Sequence, residues 1–134
     1  MNERRIFLKT AAAASVMAFA ATPLAFAAGN TDYTNIIYTT NNPGKWKKKA
    51  AIHVPQVTVS GSKVDLVTTH PMSEAHYIVR HTLILEDGTY LGATTFTAED
   101  KPESSYELPA GYKGKIYATS FCNLHDFWLT ETMV

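Results

Sequence analysis

Five histidines, His53, His70, His76, His81 and His125, and one cysteine, Cys122, carry most of the chemistry available to this 134-residue sequence. Imidazole nitrogen binds iron, copper, zinc or nickel, and one thiolate adds a soft, electron-donating ligand. Cys122-Asn123-Leu124-His125 lets a single short loop present two ligands from adjacent directions. His70 and His76 flank Pro71-Met72-Ser73-Glu74-Ala75, and His53 stands directly before Val54-Pro55. A lone exposed thiol in an oxidising compartment is open to oxidation, and ligation as a thiolate would protect it. A plainer reading also stands: Cys122 as a small buried apolar side chain, and histidines near turns as surface groups. One cysteine excludes a disulfide framework and a zinc site built from several thiolates.

These positions form one site only if rigid elements bring their loops together. Ile36 to Thr40 reads as a strand closed by the turn cluster Asn41-Asn42-Pro43-Gly44. Val57-Thr58-Val59 and Val64 to Val67 flank Gly61-Ser62 as a hairpin. His76 to Leu85 is a longer strand ending at Asp87-Gly88, a tight reversal, and Tyr90 to Phe96 returns from it. Ala98 to Ser104 reads as a loop, Tyr106 to Leu108 as a short strand, and Lys115 to Phe121 as the last strand. No window shows helical periodicity after the N-terminal segment. About seven short strands at this spacing predict an all-β sandwich of two sheets. His53, His70, His76, Cys122 and His125 then fall at element edges, where several loops can converge. On a strand starting at His76, residues 76, 78 and 80 share a face, so His81 points away and reads as a non-ligand.

Residues 1–27 read as an address. Arg4-Arg5 precedes Ile6-Phe7-Leu8-Lys9, an Ala-rich apolar run follows, and Ala25-Phe26-Ala27 supplies a signal-peptidase site. The paired arginines resemble the twin-arginine export signal, which carries folded proteins, often with cofactors inserted. The run is short for a permanent span, so cleavage before Ala28 and a periplasmic mature domain, 28–134, free of a membrane anchor, are expected. The full chain has 12 basic and 12 acidic residues. Losing Arg4, Arg5, Lys9 and Glu3 leaves nine basic and eleven acidic, which argues against nucleic acid as a partner.

Three ordered motifs resemble the superoxide reductase family, in particular the iron domain of neelaredoxin and desulfoferrodoxin. They are Ile52-His53-Val54-Pro55, His70-Pro71-Met72-Ser73-Glu74-Ala75-His76-Tyr77-Ile78, and Cys122-Asn123-Leu124-His125 with Trp128 behind it. The resemblance implies an immunoglobulin-like β-sandwich with one mononuclear iron. It maps four equatorial histidines onto His53, His70, His76 and His125, with Cys122 axial and opposite an open site. Ferrous iron there reduces superoxide to hydrogen peroxide, and an external electron donor protein restores it. A thiolate pushes electron density toward the metal, and an open position admits a small anion. The Cys-rich rubredoxin-like domain of desulfoferrodoxins is absent, so the one-iron form is implied, and a homo-oligomer is allowed.

The sequence departs from the family pattern at three places. Ala51-Ile52 replaces the usual Glu-Lys before the first histidine, Asp126 stands where Gly is usual, and Arg80 replaces a common Trp. Lys47, Lys48 and Lys49 lie just upstream, so Lys48 and Lys49 are candidates for steering superoxide; a solvated basic loop is the plainer alternative. Asp126 is expected to orient the His125 ring or to add negative charge beside it. Two rival functions remain: a cupredoxin-like copper protein, for which Met133, eight residues after His125, is too distant for the usual short ligand loop, and a redox partner or sensor with the same iron site.

Overall fold

The computed structural model describes residues 35–134; the expected export signal and cleavage point lie outside them. The described elements run β1 (Ile37–Tyr38), a 3₁₀ helix (Gly44–Lys49), α1 (Ala50–His53), β2 (Gln56–Ser60), β3 (Lys63–Val67), β4 (Ile78–Leu85), β5 (Tyr90–Thr95), β6 (Glu103–Glu107), β7 (Lys115–Cys122) and β8 (Asp126–Met133). Five strands form one sheet in the order β1-β8-β7-β4-β5, and three form another in the order β2-β3-β6. Pairing is antiparallel except between β1 and β8. The expected sandwich is present, with eight strands in place of about seven.

Burial alternates along the central strands, as a sheet with one covered face requires. Val64, Leu66, Leu83, Leu85, Leu108, Ile116 and Ala118 fill the space between the sheets. A smaller cluster of Ile78, Phe96 and Cys122 lies at one end, with Met72 against it. The register gathers that end, since Ile78 pairs with Cys122 and Cys122 with Asp126.

Four sequence expectations need correction. Lys115–Cys122 is not the last strand: Asp126–Met133 follows it as β8 and lies between β1 and β7. Its inward face carries Trp128 followed by Thr130 and Thr132, while Phe127 and Met133 point outward, so its apolar residues do not mark a core face. Glu103 and Ser104 belong to β6 and not to a loop, and Ser104 faces the buried His81. The chain before His53 is helical over two short pieces, too brief for periodicity to reveal. Finally, β4 starts at Ile78, and a bulge between Ile78 and Arg80 shifts its alternation. His81 therefore faces the core with Ile78, and its side is set by the bulge, not by strict alternation from His76.

Candidate metal centre

Each candidate ligand stands where a rigid element begins or ends. Val54 is held extended before Pro55, which ends α1 directly after His53. His70 follows β3, His76 precedes β4, and Cys122 and His125 close the β7–β8 connection. The structure brings all five together. Ligand atoms of His53, His70, His76 and Cys122 lie within 4.8 Å of one another. His125 completes the group, with Nδ1 3.0 Å from His53 Nε2, 2.9 Å from His76 Nε2 and 3.7 Å from Cys122 Sγ.

The rings form a closed square. Neighbouring centroids are 4.5 Å apart for His53–His70, 4.4 Å for His70–His76, 4.7 Å for His76–His125 and 4.8 Å for His125–His53. The His53 and His76 rings face one another across it at 5.9 Å. Four nitrogens about 2.1 Å from one ion in a plane stand about 3.0 Å apart along the edges. The measured edges are 3.0, 2.9 and, between His70 and His76, 3.1 Å. Cys122 Sγ is 4.0 Å from His70 Nε2 and 3.7 Å from His125 Nδ1, at opposite corners. Ligand atoms of His53 and His76 also lie within 4.8 Å of it, so the sulfur reaches the same group. The donor set fits one ion with four nitrogens around it and sulfur to one side.

Protonation is biased the right way for binding. Burial pushes His53 down to about 4, opposed by its bond to the Lys49 carbonyl and helped by neighbouring positive charge from His125, His76 and Lys49. His70 also falls to about 4, mainly by burial. His125 is lowered by burial and then by His76 and Lys49. Neutral imidazoles are the ligand form. His53 Nδ1 donates to the Lys49 carbonyl at 2.8 Å, which leaves Nε2 free to bind. Burial raises the Cys122 thiol, while backbone N–H groups of Leu124 and His125 pull it back.

Several positioning residues carried no role in the sequence reading. Asn123 staples the Cys122 loop to the His76 loop: its side chain accepts from the Tyr77 N–H at 3.0 Å and donates to the Ala75 carbonyl at 3.1 Å. Trp128 Nε1 donates to the His125 carbonyl at 2.8 Å, and its ring lies 5.5 Å from that of His53. Thr130 donates to the Pro55 carbonyl at 2.6 Å. Trp46 sets its edge 4.6 Å from the His125 ring. Only Asn123 and Trp128 had a signal, their places in the third motif.

Other expectations resolve by position. His81 is fully buried between Thr68 and Ser104, each 2.8 Å away, and Thr68 donates on to Ser120. Asp126 does not orient the His125 ring directly: its carboxylate accepts from Trp46 Nε1 at 2.9 Å and pairs with Lys45 at 3.6 Å, while its negative charge acts on His125 against the lowering by burial. Its φ of 65° explains why glycine suits this position, and aspartate is among the few other residues that tolerate it. Arg80 is exposed and donates to the Tyr90 hydroxyl at 3.0 Å. Met133 is two-thirds exposed at the far end of β8, away from His125.

Comparison with known proteins agrees with this centre. The model of the family described as Desulfoferrodoxin matches residues 43–131. A superoxide reductase of Pyrococcus abyssi is 28% identical over 106 residues, covering 68% of this chain and 92% of the relative. A solved superoxide reductase (neelaredoxin) of Ignicoccus hospitalis, in a single-substitution variant, superposes with a TM-score of 0.66 at 28% identity, covering 73% of this chain and 92% of that one. A superoxide reductase of Giardia intestinalis gives 0.55 at 30% identity, covering 61% and 97%.

Proposed function

The chain belongs to the desulfoferrodoxin family, and from that premise we propose that it is an exported superoxide reductase. Iron would be held by His53, His70, His76, His125 and Cys122. The observation that carries this reading is the ring of four imidazoles, with three nitrogen–nitrogen edges of 2.9 to 3.1 Å and a thiol beside them. Iron bound there supplies a ferrous/ferric couple: one electron and two protons convert superoxide to hydrogen peroxide.

The residues themselves orient, exclude water and attract. Lys49 fixes the His53 tautomer through its carbonyl, and Asn123 holds the Cys122 and His76 loops in register. His53, His70 and Cys122 are buried, so water is excluded from that side, while His76 and His125 are only half-buried and mark the open side. Lys49 is the lysine whose charge bears on His53 and His125. Lys49 therefore draws the anion inward, with Lys47 and Lys48 adding to the outer field. Turnover would require one electron per cycle from an external donor protein. Residues 1–27 serve as a cleaved twin-arginine signal, and the mature domain acts in the periplasm without a membrane anchor.

Elemental analysis of mature protein purified without oxygen tests the centre. About one iron per chain is expected. Cys122→Ser should abolish ferric-thiolate absorption and nearly all superoxide reduction. Stoichiometric copper would transfer the reading to electron transfer, and a variant that keeps both signals would overturn the axial assignment. For export, the mature N-terminus should be Ala28, and replacing Arg4-Arg5 by lysines should trap the precursor in the cytoplasm; unimpaired export would exclude the twin-arginine route.

A further inference from the structure

One arm of the site is carried on a helical segment, tied to the sheets on its C-terminal side through Val54-Pro55 and β2. His70, His76, Cys122 and His125 are carried on connections whose ends are fixed by β3, β4, β7 and β8. His53 instead ends a helical segment, 44–53, that pairs with no strand. A tie from this segment to the opposite ligand loop runs through Asp126. That residue adopts φ 65°, a conformation disfavoured for a residue with a Cβ, and such a residue persists where its surroundings over-determine it. Its carboxylate accepts the Trp46 indole N–H at 2.9 Å, across 80 residues of sequence, and pairs with Lys45 at 3.6 Å. Trp46 in turn rests edge-on against His125 at 4.6 Å.

We infer that Asp126 is a positioning residue that clasps the Gly44–Lys49 helix onto the His125 loop, closing the ligand ring between its first and last histidines. The inference builds on the metal reading above. A glycine at 126 would fit the backbone but leave the indole N–H without this acceptor. The clasp also neutralises the Lys45 charge locally, so Lys47, Lys48 and Lys49 supply the outward-facing positive field. It keeps those lysines and His53 in fixed register with His125.

The experiment is a double-mutant cycle with Asp126→Gly, Trp46→Phe and both together, plus Asp126→Asn, whose amide oxygen still accepts from the indole. Asp126→Gly suits the local backbone, so a folded variant is expected. In iron-loaded protein, release of iron to a chelator should quicken about five-fold in each single variant, the worth of one partly exposed hydrogen bond to a charged group. The double variant should be no faster than either, and Asp126→Asn should stay close to wild type. Acrylamide quenching of tryptophan fluorescence in the metal-free protein should rise in Asp126→Gly and not in Asp126→Asn. Additive effects in the cycle, or unchanged quenching in Asp126→Gly, would overturn the clasp. Failure of wild-type protein to bind iron would sink the metal reading while the quenching result still decides the clasp.

Discussion

A buried histidine outside the metal centre has its own consequence. His81 has no exposed surface, and burial lowers it to about 4 from an ordinary 6.5. The unfolded chain therefore binds a proton near pH 6.5 that the folded one refuses until about pH 4. Between those values the unfolded state holds more protons, so stability falls as pH drops through this window and levels off below it. The full shift corresponds to about 3 kcal/mol. Urea unfolding of the metal-free protein from pH 7 to 4.5 should show this loss, and His81→Gln should reduce it; His53 and His70 supply the part that remains. An identical pH profile in the variant would rule His81 out. Its non-ligand status was legible from the sequence, but its direction was not, because a bulge of one residue reverses the faces of β4.

Among the elements, the 44–53 segment depends on a close approach that only glycine allows. Gly44 has φ 49°, and a Cβ there would meet Tyr38 Cε1 at 2.8 Å. Tyr38 is fully buried against Trp128, which lies beside His53. Gly44→Ala combines backbone strain with a clash on a side chain that has nowhere to go, and should cost about 2–4 kcal/mol. Gly61→Ala, at φ 63° in the β2–β3 turn with open space around it, should cost only about 1 kcal/mol. Equal losses in denaturant titrations would show that the Tyr38 contact carries no weight. The turn at 41–44 was visible as Asn-Asn-Pro-Gly, whereas the helix after it was not, since six and four residues are too few for a period to repeat.

Taken whole, the chain carries no net formal charge, yet its approach to His53 is locally basic. Lys47, Lys48 and Lys49 are exposed on the segment that ends at His53. Replacing all three by glutamine should lower the second-order rate with superoxide about two- to ten-fold at low salt and flatten its dependence on ionic strength. Lys49→Gln alone should account for most of the change, because its charge reaches His53 and His125. An unchanged rate and salt profile would leave these lysines as ordinary surface charge.

The ligand types and their order were in the sequence, because His-Val-Pro, His-Pro-Met-x-x-x-His and Cys-Asn-x-His are local patterns that do not need a fold to be seen. The sandwich was also legible, since strands and turns follow short-range alternation and Gly/Pro/Asn punctuation. Tertiary structure alone decided what those residues touch. β8 acquires its place between β1 and β7 only through pairing, and Asp126 meets Trp46 across 80 residues, a distance in sequence that no local rule spans. The nitrogens converge to about 3 Å because three separate connections, β1–β2, β3–β4 and β7–β8, meet at one end of the sandwich, and that convergence is a property of register and packing rather than of any one motif.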